Sequence, residues 1–125
     1  FRQGSNYAEA FAAAEAYQSK TGARLIHAYD QAETLIGQGT IGLELEAQAP
    51  GLNTLLIAVG GGGLIGGISG WYQGRIKIVA VETEGIPTLK AAFDANETID
   101  IDVDGVYGDC ADACLSATWL ENRCV

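Results

Sequence analysis

The feature that most constrains this chain is Val59-Gly60-Gly61-Gly62-Gly63-Leu64-Ile65-Gly66-Gly67, entered from the unbroken apolar run Leu55-Leu56-Ile57-Ala58-Val59. Such a run reads as a strand buried on both faces. Four consecutive glycines carry no Cβ, so an anion can approach the main chain closely. Beyond them, Leu64-Ile65-Gly66-Gly67-Ile68 opens an apolar, helix-compatible segment running to about Tyr72. A strand, a glycine turn and a helix N-terminus form an anion cradle, because unpaired N–H groups and the helix dipole both favour negative charge there. A phosphate-bearing ligand is the expectation.

The flanking elements alternate in type. Asn6-Tyr7-Ala8-Glu9 has capping-box spacing, with Asn6 as N-cap and Glu9 at N3. A helix follows from Ala8 to Lys20 and stops at Thr21-Gly22. Ala23 to His27 reads as a short strand leading into a loop at Ala28-Tyr29-Asp30. A second helix is expected from about Thr40 to Ala47, with Gly37-Gln38-Gly39 as a loop before it and Pro50-Gly51 closing it. After the glycine turn and its helix, Ile76 to Glu82 is the next strand. Pro87 then suits the first turn of a helix reaching about Asn96. Strands alternating with helices predict an α/β fold with a parallel sheet and flanking helices. Thr98 to Val103 alternates apolar and acidic residues, as an exposed edge strand would.

Composition narrows the partners. Sixteen Asp plus Glu against seven Lys plus Arg leave a net charge of −9, which argues against nucleic acid or an anionic membrane surface. No stretch approaches a membrane span in apolar length, since glycines, Gln73 and Arg75 interrupt the best candidate. Cysteines occur only at Cys110, Cys114 and Cys124. That is a poor disulfide framework and suits a reducing cytoplasm, and it lacks the paired spacing of a zinc site. The opening Phe1-Arg2-Gln3, with neither initiator Met nor signal peptide, reads as the middle of something longer.

Two ligands compete for the cradle. Gly61-x-Gly63-x-x-Gly66 matches the dinucleotide fingerprint, and Glu82 ends the next strand about 20 residues on, where a ribose-binding acid would sit. A small NAD-binding module is therefore one reading. Gly60 and Gly62 exceed that fingerprint and suggest several consecutive amides around one compact phosphate. The wider pattern favours the second ligand. His27-Ala28-Tyr29-Asp30, Gly37-Gln38-Gly39-Thr40-Ile41-Gly42-Leu43-Glu44, Gly60 to Ile65 and Val81-Glu82-Thr83-Glu84-Gly85 together resemble the threonine dehydratase and serine racemase family. These are pyridoxal-phosphate enzymes of fold type II, with a tryptophan synthase β-like large domain. The resemblance spans residues 1–105. Residues 106–125 form an atypical cysteine-containing tail, such as a truncated or frame-shifted reading frame would produce.

The resemblance implies that Gly60, Gly61, Gly62, Gly63 and Leu64 bind the phosphate of pyridoxal 5′-phosphate through backbone amides. It implies a lyase parent converting L-threonine to 2-oxobutanoate and ammonia, with threonine dehydratase closer than serine racemase. An amino-acid substrate, a homo-oligomeric parent and a cytoplasmic place in isoleucine biosynthesis go with it. Glu82 matches a position where some members hold a divalent cation, together with the carbonyl of Ile86 and an acid at Thr88; Thr88 is not an acid. His27, the single histidine, reads as structural at a strand end, although its titration range makes proton transfer available. Tyr29 and Asp30 resemble loop residues near the family's substrate region, and both read as structural here. Gln38 and Thr40 read as ordering a loop and capping a helix. The family's cofactor-linking lysine sits in a Ser-x-Lys-x-Arg-Gly segment; Lys20, Lys77 and Lys90 do not match it, so no catalytic residue is assigned and the chain alone is expected not to catalyse.

Overall fold

A computed structural model describes residues 3–5 and 7–97. Its sheet, among these residues, is one parallel pair: β1 (Thr54–Ala58) beside β2 (Lys77–Val81), with Thr54 opposite Lys77 and Ala58 opposite Val81. Helix α3 (Gly63–Tyr72) makes the crossover between them. The pairing continues at both ends, with Lys77 N–H donating to the Asn53 carbonyl at 2.9 Å and Val59 N–H to that of Val81 at 3.0 Å. Ile57 of β1, Ile65, Ile68 and Tyr72 of α3, and Leu89 and Ala92 of α4 (Thr88–Ala95) form the buried core. The expected α/β organisation is present.

One face of the sheet is open, which corrects the expectation of a strand buried on both sides. Leu56 is 67% exposed and Val81 45%. A two-stranded sheet needs a layer on each face to bury both, and among the described residues the core lies on the Ile57 face only.

The largest correction concerns α2 (Ala32–Gln48), which begins eight residues before the expected Thr40 and runs straight through Gly37-Gln38-Gly39. These glycines do not make a loop. The helix packs so closely on α3 that an added Cβ at Gly67 would lie 2.4 Å from the Leu35 carbonyl oxygen. One at Gly39 would lie 3.1 Å from the Gly67 carbonyl oxygen, and one at Gly42 2.8 Å from the Trp71 ring. Glycine's helix cost of about 1 kcal/mol is offset by the contact its small size permits. Thr40 accordingly caps nothing; its hydroxyl donates to the Gly37 carbonyl one turn back, at 2.7 Å. At the far end of the interface the Trp71 indole N–H donates to Glu46 at 3.0 Å, and Arg75 pairs with the same carboxylate.

Helix α1 (Tyr7–Thr21) ends as expected, with Gly22 left-handed at φ 71° and its N–H on the Gln18 carbonyl at 2.8 Å. At its start Glu9 reaches back to Ser5, taking the backbone N–H at 2.8 Å and the hydroxyl at 2.7 Å. These bonds hold the Glu9 carboxyl below the usual carboxylate range. Asn6, the expected cap, lies outside the described residues, as do Thr98 to Val103 and the three cysteines. Residues 23–27 form no strand. Around His27 the backbone bonds to side chains instead: its N–H donates to Gln31 Oε1 at 2.9 Å and its carbonyl accepts from Thr34 at 2.8 Å. Helix α4 follows Pro87 and ends at a left-handed Asn96, close to expectation.

Candidate functional site

After β1 the chain turns through Val59 to Gly62 and enters α3 at Gly63. Gly62 stands at φ 86°, a left-handed conformation that a side chain would strain. The first helical bond of this turn runs from the Gly66 N–H to the Gly62 carbonyl at 2.9 Å. The N–H groups of Gly63, Leu64 and Ile65 therefore have no acceptor within the helix. They head a hollow of about 340 Å³ walled by residues 58–65 together with Ala28, Tyr29 and Gln38. That wall contains neither lysine nor arginine, so its attraction for an anion comes from backbone amides and the α3 dipole.

Tyr29 shapes the wall. A Cβ at Gly61 would meet its ring at 2.4 Å, and one at Gly63 would meet its Cβ at 2.8 Å. The ring is held edge-on by His27, with centroids 4.8 Å apart, and is stacked by Tyr7 at 6.0 Å. Burial raises the Tyr7 phenol above its ordinary range, partly countered by its hydrogen bond with Tyr29. His27 has the structural role expected of it. Its Nδ1 accepts the N–H of Asp30 at 2.8 Å and that of Tyr29 at 3.2 Å, so the ring closes the turn that presents Tyr29.

Glu82 is employed elsewhere. Its Oε1 accepts the Thr88 hydroxyl at 2.9 Å and the Leu89 N–H at 2.6 Å, and its Oε2 accepts the Lys90 N–H at 3.0 Å. It caps α4 from the end of β2. Donors on both oxygens disfavour a cation, and among the described residues no three His, Cys, Asp or Glu side chains gather as a metal site. The divalent-cation reading of Glu82 is thus unsupported. The dinucleotide reading loses its ribose-binding acid to the same cap. Lys20, Lys77 and Lys90 are all exposed and none lines the hollow; Lys90 pairs with Asp94.

Comparison with known proteins decides between the ligands. Residues 1–117 match the family described as pyridoxal-phosphate dependent enzyme. The chain belongs to that family. It is 38% identical over 94 residues to an L-threonine ammonia-lyase of Thermotoga maritima, covering 73% of this chain and 23% of that protein. It is 35% identical over 109 residues to the biosynthetic L-threonine dehydratase of Escherichia coli, covering 85% and 21% respectively. The fold superposes on a threonine deaminase from Solanum lycopersicum with a TM-score of 0.85 at 27% identity, covering 96% of this chain and 34% of that one. Maize serine racemase gives 0.80 at 28%, covering 91% and 37%. The chain spans about a quarter of the length of these curated relatives. The fold is therefore that of part of a fold type II enzyme, and the family's cofactor is pyridoxal phosphate. The glycine cradle fits that cofactor's phosphate: Gly60 faces open space, and the amides of Gly63, Leu64 and Ile65 at the head of the hollow have no acceptor within the helix. No helix among the described residues is long and apolar enough to cross a membrane.

Thr88 is the residue that sequence reasoning missed. In the sequence it stands out only as a non-acid where a cation ligand is expected, yet its hydroxyl lies 3.2 Å from the Gly60 carbonyl oxygen as well as against Glu82. A contact across 28 residues has no local signature.

Proposed function

We propose that this chain is the phosphate-anchoring part of a pyridoxal-phosphate-dependent threonine ammonia-lyase that converts L-threonine to 2-oxobutanoate and ammonia. The observation that carries the proposal is the left-handed Gly62 turn delivering the N–H groups of Gly63, Leu64 and Ile65 into a hollow no side chain occupies. Gly60, Gly61, Gly62, Gly63 and Leu64 are the cofactor-binding residues. When bound, pyridoxal phosphate supplies an electron-withdrawing ring for the chemistry at the substrate α-carbon. This chain's residues bind and orient it: backbone amides and the α3 dipole take the phosphate charge, and the Tyr29 ring, packed on Gly61, walls one side. None of the three lysines lies at the hollow, so these residues anchor and do not move the reacting proton.

The names of the curated relatives support threonine as substrate, and a place in isoleucine biosynthesis goes with this reading. A cytoplasmic, homo-oligomeric parent belongs to the same reading. The serine racemase alternative shares this cradle, and turnover of L-threonine against racemisation of L-serine by the intact protein separates the two.

Titration with pyridoxal phosphate tests the anchoring role. A ligand at a hundredfold excess over Kd stabilises the folded state by about 2.7 kcal/mol, which raises Tm by several degrees. NAD should leave Tm unchanged, and so should pyridoxal phosphate added to Gly61→Val. A rise with NAD alone would restore the dinucleotide reading. Threonine turnover by the isolated chain would overturn the division between anchoring and chemistry.

A further inference from the structure

We propose that Thr88 is a positioning residue for the phosphate cradle: its hydroxyl, held against Glu82, turns the Gly60–Gly61 peptide so that the Gly61 N–H faces the anion. The inference rests on the phosphate-binding reading above and adds a residue from a distant helix to it.

Thr88 is 1% exposed at the head of α4, and its Oγ1 lies between two acceptors, Glu82 Oε1 at 2.9 Å and the Gly60 carbonyl oxygen at 3.2 Å. The hydroxyl carries one proton and shares it between the two acceptors as a three-centre bond, with Glu82 itself fixed by the Leu89 and Lys90 N–H groups. The buried site also makes an unmet hydrogen bond costly. Tyr29 packs on Gly61 and Gly63, but at Gly60 a Cβ would meet nothing within 4 Å, so no side chain packs against that end of the Gly60–Gly61 peptide. Among the described residues, Thr88 supplies the side-chain hydrogen bond on the Gly60–Leu64 turn.

Peptide planarity converts that bond into an orientation. The Gly60–Gly61 peptide is trans, so the Gly60 C=O and the Gly61 N–H point in opposite directions from one rigid plane. The carbonyl faces Thr88, which does not line the hollow, whereas Gly61 does line it. Anchoring the carbonyl on α4 therefore aims the next amide at the ligand. Glycines on both sides of the plane would otherwise let it flip, since each adopts either sign of φ at small cost. The Glu82–Thr88–Gly60 chain thus ties the exits of β1 and β2 to α4, and couples that helix to phosphate affinity without any metal.

The test compares wild type, Thr88→Val and Thr88→Ser for pyridoxal phosphate affinity and for the response of the Gly61 amide resonance to inorganic phosphate. Removing the hydroxyl should weaken pyridoxal phosphate binding about fivefold, the ratio a lost neutral hydrogen bond produces, and should abolish the phosphate-induced shift at Gly61. Thr88→Ser should restore both. Should Thr88→Val fail to fold, Thr88→Cys keeps a side chain of similar size with a weak donor, and must show the same loss in reduced degree. A folded variant lacking the hydroxyl that binds as wild type does, with the Gly61 shift intact, overturns the inference even if its Tm falls. Wild type that binds neither pyridoxal phosphate nor inorganic phosphate overturns the phosphate reading itself, and this inference with it.

Discussion

Gly67→Ala and Gly70→Ala make the same chemical change in the same helix and should shift stability in opposite directions. Both residues lie in α3, where alanine gains about 1 kcal/mol of helix propensity over glycine. At Gly70 the new methyl meets nothing within 4 Å, so most of that gain should survive and raise stability by about 0.5–1 kcal/mol. At Gly67 the methyl would sit 2.4 Å from the Leu35 carbonyl oxygen, 2.7 Å from Gln38 Cβ and 2.8 Å from the Gly39 nitrogen. The shortest falls 1.0 Å inside the 3.4 Å at which ordinary contact begins. Two of the three atoms are backbone, so no rotamer change relieves them, and α2 must move away from α3. Overpacking of this kind costs about 1–3 kcal/mol, and a clash against helix backbone belongs at the upper end. After the propensity gain, Gly67→Ala should lose about 1–2 kcal/mol. Urea unfolding followed by far-UV circular dichroism reads both. With an m-value of about 1–3 kcal/mol/M the two midpoints should differ by about 1 M, on either side of wild type. A Gly67→Ala midpoint at or above wild type would refute the claim that these glycines exist to bring α2 and α3 together.

Gly61→Ala should weaken pyridoxal phosphate binding more than Gly60→Ala, because its methyl would meet the Tyr29 ring at 2.4 Å while the other meets open space; isothermal titration of the two variants checks the order. Helix α1 should fray at low pH. Ser5 holds the folded Glu9 carboxyl below its ordinary 4.5, so the contribution is full above that value and is lost as pH falls through the lowered one. Glu9→Gln should remove that part of the ellipticity change. Leu56→Ser, on the open sheet face at 67% exposure, should change the unfolding free energy by less than about 0.5 kcal/mol while reducing self-association measured by light scattering. A large stability loss would mean that the face is covered.

What was legible in the sequence was whatever a local signal carries. The apolar run before the tetraglycine, the crossover to Tyr72, the strand from about Ile76 and the helix after Pro87 each need only neighbouring residues to declare themselves, and each stands within a residue or two of its expected place. The failures share a different cause. Gly37 and Gly39 carry a loop-like composition, but the place of Gly39 in a helix is set by its close approach to Gly67 of α3, 28 residues further along the chain, and only the contact reveals it. Residues 23–27 have strand-like composition yet no strand beside them among the described residues, and hydrogen bonds decide a strand, not propensity. Glu82 shows how this bears on function. A carboxylate at a strand end reads equally as a ribose ligand, a cation ligand or a solvated charge, and the choice is made by the Leu89 and Lys90 amides, which lie on α4. The glycine turn was readable because four consecutive residues without a Cβ declare themselves in the sequence. The groups that aim the cradle were not, because Thr88 and Tyr29 act through contacts with residues about thirty positions away. A search for phosphate sites of this kind should therefore begin from the glycine turn and then ask which buried hydroxyl holds its first carbonyl.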